Sequence, residues 1–396
     1  MTAPRTLSDA ARSPVSRRAF LGAAAAAAVL PRAGFADAPP AAMPTRKLGK
    51  TGLDVPILEV GGTYRFTKRY VERALALGCN FFDTAASYVN GWSERNLGQA
   101  LADLGARRKA IIVTKGHPDR PESLAAAVDA SLERLRSDAI DIFYVHNLRD
   151  PAVLTDRAWR DAVAALKRRG KIRHFGFSCH NENLVALLRQ AATAGTADVC
   201  MFKYNFRSFD DAELNRAIDA AAAAHVGLIA MKTQGSAISF SERVNPFLAQ
   251  GVSKHQAVLK AVWKDDRIAS AVSCMPSIQV LEHNAAAAGE KLSAIEDRLL
   301  RRLATATRRD YCPGGCGGCR RECESAGGST LAIADTLRYL MYRQSYGQRA
   351  IARAKFHALP IAAREWTADQ LRGATAACPR GLPVGELLRR SAELLA

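Results

Sequence analysis

Between residues 55 and 274 the chain repeats one pattern eight times: a short apolar run, then a longer Ala/Leu/Arg stretch of helical period. The runs occupy 55–62, 79–84, 110–116, 140–146, 174–178, 199–205, 227–233 and 269–274. Alternation of this kind marks βαβ units, whose parallel strands need a crossover of a dozen or more residues. Eight units within about 230 residues match the count and size of a closed parallel barrel, so the pattern predicts a (β/α)8 TIM-type barrel, placed at 46–300.

Polar residues at the ends of the runs recur in step. Asp83 and Lys115 lie 32 positions apart, Lys115 and His146 31, and His146 and Ser178 32. In a parallel barrel these ends converge on the C-terminal face, where active sites are built. Singly, Asp83 could cap a helix, Tyr88 anchor a loop, Lys115 end a strand in solvent and His146 sit satisfied in a core. Together they match one chemistry. Reduction of a carbonyl needs a hydride donor, a proton donor for the developing alkoxide and dipoles that stabilise its charge. A tyrosine suits the second role when a neighbouring ammonium favours the phenolate, so Lys115, held charged by Asp83, is expected to pull the Tyr88 pKa down from about 10. His146 is placed to orient the carbonyl and donate to its oxygen.

Past about residue 300 the alternation stops. A small, mainly helical, cysteine-rich unit is expected at 301–396. Five of the nine cysteines lie there, at 312, 316, 319, 323 and 378, whereas Cys79, Cys179, Cys200 and Cys274 fall in expected strands and read as buried apolar residues. Cys312, Cys316, Cys319 and Cys323, interleaved with glycines, bring four thiols within a dozen residues, compact enough for the backbone to wrap a metal centre. An iron–sulfur cluster fits this spacing best. Structural zinc usually takes two pairs across a longer loop, and disulfides are the alternative in an oxidising compartment.

The N-terminus adds a location. Ser16-Arg17-Arg18-Ala19-Phe20-Leu21-Gly22 precedes an alanine-rich run ending near Leu30, with small residues at Gly34 and Ala36. This reads as a twin-arginine export signal over 1–36, cleaved near Ala36, and places the protein in the periplasm. An uncleaved anchor is the alternative, though the apolar run is short for one. The formal charge of +18 comes from scattered residues rather than a dense basic block with aromatics, so nucleic acid is not an expected partner.

Gly78-Cys79-Asn80-Phe81-Phe82-Asp83-Thr84-Ala85-Ala86-Ser87-Tyr88, followed by Ser93-Glu94-Arg95-Asn96-Leu97-Gly98, resembles the segment of the aldo/keto reductase family that carries its aspartate and tyrosine. Ile112-Val113-Thr114-Lys115 resembles the lysine strand. Ser131-Leu132-Glu133-Arg134-Leu135 with Asp138, Ile140-Asp141 and His146 resembles the helix and strand bearing the histidine. The likeness runs from about Arg46 to Ala288. It implies an NADP- or NAD-dependent reductase of a small carbonyl substrate, with Asp83, Tyr88, Lys115 and His146 catalytic. The implied cofactor set is Ser178, Asn205, Lys232, Ser277, Glu282 and Asn284. Met275-Pro276-Ser277 through Glu282-His283-Asn284 resembles the adenosine-phosphate segment but lacks its usual cation, and Cys179 and Met201 stand where the family commonly has asparagine and glutamine.

The tail is similar to the ferredoxin-like extension of some exported members, through the cysteine run, Leu337-Arg338-Tyr339-Leu340-Met341-Tyr342 and Cys378-Pro379-Arg380-Gly381-Leu382-Pro383-Val384. Those relatives carry two cysteine runs; here the second keeps only Cys378, and Glu324 replaces the proline expected after Cys323. One [4Fe-4S] cluster is therefore expected, its fourth ligand being Cys323 or Cys378, together with a membrane-bound or periplasmic redox partner. A non-catalytic electron carrier or sensor on a barrel scaffold is the competing reading.

Overall fold

The computed structural model describes residues 42–181, 183–234, 245–306, 312, 322–328, 330–345 and 348–396. The twin-arginine segment, Cys316 and Cys319 lie outside the described residues. An antiparallel hairpin of β1 (Thr45–Lys47) and β2 (Asp54–Pro56) precedes eight barrel strands: β3 (Leu58–Gly61), β4 (Phe81–Asp83), β5 (Ile111–Gly116), β6 (Ile140–Val145), β7 (Ile172–Cys179), β8 (Val199–Lys203), β9 (Gly227–Met231) and β10 (Ser270–Cys274). They close in the order β10-β3-β4-β5-β6-β7-β8-β9, and every neighbouring pair is parallel. The expected eight-stranded barrel is the architecture that forms.

The run at 55–62 divides between two strands. Val55 and Pro56 pair with β1, and only Leu58–Gly61 joins the barrel. Pro56 lacks the N–H that a central ladder demands, so the strand breaks there.

Strand alternation sorts the core into two sets. Phe81, Val113, Ile142, Tyr144, Val199, Met201 and Ile229 cluster together inside the barrel with Leu48 and Val55 of the hairpin region, which thereby fills one end. Val60, Phe82, Ile112, Phe143, Phe175, Phe177 and Phe202 belong to a separate cluster with the surrounding helices. One close approach is set by glycine. A Cβ on Gly98, within the helix Trp92–Asp103, would lie 2.2 Å from the carbonyl oxygen of Leu135, which ends the helix Pro121–Leu135.

The helix Ala294–Ala306 runs across the expected boundary at 300/301. Its Leu299, Leu300 and Leu303 cluster with Phe206, Phe247, Ala257 and Val258. Beyond it the described tail is helical, with helices Glu322–Gly327, Ile333–Ser345, Arg349–His357, Ile361–Arg364, Ala368–Ala376 and Val384–Leu395. Leu331, Ile333, Leu337, Leu340, Leu371, Leu382, Val384 and Leu388 form its core with Cys323, and Cys312 and Cys378 pack against it. Glu324 supports the tail structurally. Its buried carboxylate accepts from the Ala334 N–H at the start of the helix Ile333–Ser345, where exposed amides and the helix dipole favour an anion. No described helix is long and apolar enough to cross a membrane.

Candidate active site

Asp83 ends β4 and Lys115 lies in β5, and inward alternation buries both. The Lys115 ammonium donates to the Asp83 carboxylate and, at 2.8 Å, to the Thr84 carbonyl. Its third neighbour is the Tyr88 hydroxyl, 3.4 Å away, and the ammonium stands 4.7 Å from the centre of that ring. The Tyr88 ring meets His146 edge to face at 5.7 Å and 84°, and His146 stacks on His117 at 4.7 Å. The four residues expected to gather at one mouth do so.

Burial disfavours a charged Lys115, yet Asp83 and Tyr88 outweigh it and hold its pKa above the ordinary lysine value. Burial raises Asp83, opposed by Lys115. The expectation for Tyr88 needs correction. Lys115 does pull its pKa down, but burial pushes harder in the opposite direction, and the phenol ends above its usual range. His146 is driven down to about 2 by burial first, then by Lys115, His117 and Lys232. At neutral pH the mouth therefore holds a protonated amine, a neutral phenol and a neutral imidazole whose buried Nδ1 has no partner among the described residues.

The backbone around the mouth is strained. Val89 after Tyr88, Asn147 after His146, and Lys232 after β9 all have positive φ, at 50°, 55° and 59°. For a β-branched residue such as Val89 that conformation is a true outlier, and such strain concentrates at functional sites.

The helices brace the lysine strand from outside. Glu94, fully buried, accepts from the Thr114 hydroxyl at 2.6 Å and pairs with Arg134. It ties the helices Trp92–Asp103 and Pro121–Leu135 to the residue next to Lys115.

The residues expected at a cofactor are spread along the rim. The Ser178 hydroxyl accepts from the Asn147 N–H at 3.0 Å, linking the ends of β6 and β7. Asn205 donates to the Lys232 carbonyl at 3.1 Å and accepts from the Arg207 N–H, so its amide holds two loops. Ser277 caps the helix Ile278–Ala285, and buried Asn284 joins the Ser273 hydroxyl and the Gln234 amide. Glu282 stands apart from these in a surface ion pair with Arg73 at 2.7 Å. A capped helix N-terminus, amides and rim cations form a donor set that fits the phosphates of a dinucleotide. No G-x-G-x-x-G follows the first barrel strand. No Arg or Lys lies within 275–284 to meet a 2′-phosphate.

For the tail, Cys323 belongs to the apolar cluster and Cys312 and Cys378 pack against it, and thiolates are soft ligands. Among the described residues, no group of three His, Cys, Asp or Glu is gathered closely enough to hold a metal.

Three residues escaped sequence reasoning. His117 follows Lys115 by two positions, and that spacing past a strand end was its only signal. Glu59 and Tyr144 lie in β3 and β6, fully buried, with both Glu59 carboxyl oxygens and the Tyr144 hydroxyl lacking partners among the described residues. Burial first, then Asp83, pushes the Glu59 pKa well above the carboxylate range against the opposing pull of Lys115. Burial thus favours the neutral form of this acid, inside the barrel near the charged pair.

The sequence profile of the aldo/keto reductase family matches residues 62–295, more than half the chain. The chain belongs to the aldo/keto reductase family. An L-galactose dehydrogenase of Arabidopsis thaliana is 30% identical over 176 residues, covering 39% of this chain and 54% of that protein. A probable voltage-gated potassium channel subunit beta of the same plant is 35% identical over 122 residues, covering 26% of this chain and 37% of that protein. The matched stretches thus span less than two thirds of these relatives. An aldo/keto reductase of Klebsiella pneumoniae, solved with NADP and acetate, superposes with a TM-score of 0.55 over 66% of this chain and 95% of its own, at 23% identity. This last likeness is one of fold.

Proposed function

We propose that this aldo/keto reductase reduces a small carbonyl compound to an alcohol, with Tyr88 as proton donor, His146 as second donor to the carbonyl oxygen, and the Lys115–Asp83 pair as the charge that governs both. The observation that carries the reading is the 3.4 Å approach of the Lys115 ammonium to the Tyr88 hydroxyl at the barrel mouth. Family membership supports it. Ser178, Asn205, Lys232, Ser277 and Asn284 would hold NADPH or NADH along the rim, and that cofactor would supply the hydride. As the carbonyl π bond breaks, Tyr88 gives its phenolic proton to the oxygen, and the tyrosinate left behind is stabilised by Lys115. An alkoxide is more basic than a phenolate, so even an elevated Tyr88 pKa leaves this transfer downhill. His146, neutral, donates its N–H to the same oxygen without carrying charge into the site, the way neutral imidazoles polarise carbonyls elsewhere. Tyr88 recovers its proton from solvent.

The missing cation at 275–284 favours little discrimination between NADH and NADPH. In the tail, Cys312, Cys316, Cys319 and either Cys323 or Cys378 would hold one [4Fe-4S] cluster, which supplies one-electron transfer to a redox partner in the periplasm. The twin-arginine segment supports that location, since this route carries folded proteins already loaded with cofactor. The reductase reading is tested by following NADPH and NADH oxidation anaerobically with benzaldehyde. Wild type should turn over, and Tyr88→Phe should lose about 10²–10⁴-fold in kcat. Equal rates in the two proteins would remove the mechanism.

A further inference from the structure

The tail helix Ile333–Ser345 lies against the barrel rim rather than away from it. The Lys232 ammonium, just past β9, stands over the Tyr342 ring at 5.5 Å. Arg338 precedes Tyr342 by four residues, so the two share one face of that helix. The Arg338 side chain is only 14% exposed. One of its nitrogens meets the Asp335 carboxylate at 3.3 Å, but its buried Nη2 has no partner among the described residues. A buried charged donor without an acceptor is costly to keep.

Arg338 is also not the sole cation nearby. Burial first, and then Lys232, Arg338, Lys203 and His146, hold the His180 pKa well below its ordinary value. His180 follows directly on β7, so these cations share the mouth that contains His146. Burial raises the pKa of Tyr339 on the same tail helix, and Arg149, two residues past Asn147, is close enough to oppose that rise. Lys232, Lys203, Arg149 and Arg338 are thus gathered around the rim beneath the helix. Of the acids named around it, Asp335 engages Arg338 through the other nitrogen and leaves Nη2 open.

We infer that Arg338, delivered by the tail to the barrel mouth, is the recognition group for an anionic substituent on the substrate, so that the enzyme prefers carbonyl compounds bearing a carboxylate or phosphate. The inference rests on the reductase reading for the word substrate, but the anion site itself does not. A guanidinium with an open Nη2 donates a charge-assisted hydrogen bond to such groups, and a substrate that lacks the anion leaves that nitrogen unsatisfied.

The test uses the full chain, purified anaerobically, with isophthalate as an unreactive dicarboxylate and with 3-carboxybenzaldehyde and benzaldehyde as substrates. Calorimetry should show isophthalate binding that weakens about 30-fold or more in Arg338→Gln and is partly restored in Arg338→Lys. In Arg338→Gln, kcat/KM for 3-carboxybenzaldehyde should fall by a similar factor, while benzaldehyde changes less than about threefold. Affinity for NADH and NADPH, read by fluorescence, should stay within about threefold. Weakened dinucleotide binding with unchanged isophthalate binding would assign the arginine to a cofactor phosphate and overturn the inference. So would equal losses on both aldehydes, or no isophthalate binding by wild type. Should wild type bind isophthalate through Arg338 yet reduce neither aldehyde, the anion site stands and the reductase reading fails.

Discussion

The Lys115 ammonium touches the Tyr88 hydroxyl while its main charge partner, Asp83, sits on the neighbouring strand, so one buried cation serves both fold and chemistry. Lys115→Met separates the two roles from the side of the cation. It should cut kcat by about 10²–10⁴-fold, because the tyrosinate formed on proton transfer loses its stabilising charge. It should also lower stability by about 3–5 kcal/mol, the usual cost of stranding one partner of a buried pair. Asp83→Asn keeps the shape and a hydrogen-bond acceptor for the amine, so its stability loss should be the smaller of the two. Urea unfolding and steady-state rates on both variants check the ranking; a stable, fully active Lys115→Met protein would contradict it.

The pH profile should lack a histidine. His146 titrates at about 2 in the folded chain against 6.5 when exposed, so the active imidazole stays neutral across the usable range. Reduction rates should be flat from about pH 5.5 to 8 and fall only in strongly alkaline solution, where Tyr88, raised above 10, begins to lose its proton. The linkage to stability has a definite sign. Between the two His146 values the unfolded chain binds more protons than the folded one, so stability should drop as pH falls below about 6.5. Unfolding midpoints at pH 7 and 5, compared in wild type and His146→Gln, test this: the variant should lose less on acidification.

The barrel was legible because each repeat writes itself twice, as an apolar run and as a polar residue at its end. Asp83, Lys115 and His146 could be found by counting, since strand, crossover helix and return fix an interval of 31 or 32 residues. Tyr88 lies in a loop and has no period, so the chemistry it could share with Lys115, and then the family likeness, single it out. What the pattern hid is what faces inward without closing a strand. Glu59 lies within a run that looks wholly apolar around it, and nothing in the order of residues shows that its carboxyl will be buried near Asp83, Lys115 and Tyr144. The balance at Tyr88 was hidden too: the sign of a pKa shift depends on how much water a folded site excludes, and sequence reports the charges but not the burial.

Glu59 should be replaceable by its own neutral form. Burial raises the pKa of its carboxyl inside the barrel, so as pH rises above the ordinary value of 4.5 the folded chain keeps its proton longer than the unfolded chain does. That contribution to stability is complete below pH 4.5 and is lost as pH rises toward the elevated folded value. Glu59→Gln removes the titration while preserving the shape. The variant should therefore gain on wild type between pH 5 and 8, by about 1 kcal/mol or roughly 2–4 °C in Tm. A gain independent of pH would show that the acid is ionised in the native barrel.

Gly98→Ala should weaken the brace behind the lysine strand. The added methyl would press on the Leu135 carbonyl, a backbone atom with little room to yield, at a spacing of 2.2 Å that real contacts never show. Forced separation of the helices Trp92–Asp103 and Pro121–Leu135 should cost about 1–3 kcal/mol. Because Glu94 and Arg134 join these same helices, the shift should also loosen Thr114 and raise amide exchange along Ile111–Gly116. Exchange unchanged in that strand, with stability lost elsewhere, would locate the damage differently.

Metal removal should act on the tail and spare the barrel. Cys323 lies in the tail's apolar cluster and Cys312 and Cys378 pack against it, whereas the strands are held by their own two cores, so an iron–sulfur cluster bound in the tail would add its binding energy to the folding of the tail. Protein purified without oxygen should contain about four iron and four sulfide per chain, falling below about one in Cys312→Ser. Chelation of the iron should make residues 322–396 sensitive to protease while leaving benzaldehyde reduction nearly intact, since Tyr88 and Lys115 belong to the barrel. Cys323→Ser and Cys378→Ser then separate the two candidate ligands, because only loss of the true fourth ligand should reproduce the Cys312→Ser iron content. Zinc in place of iron, or a tail equally resistant with and without metal, would refute the cluster.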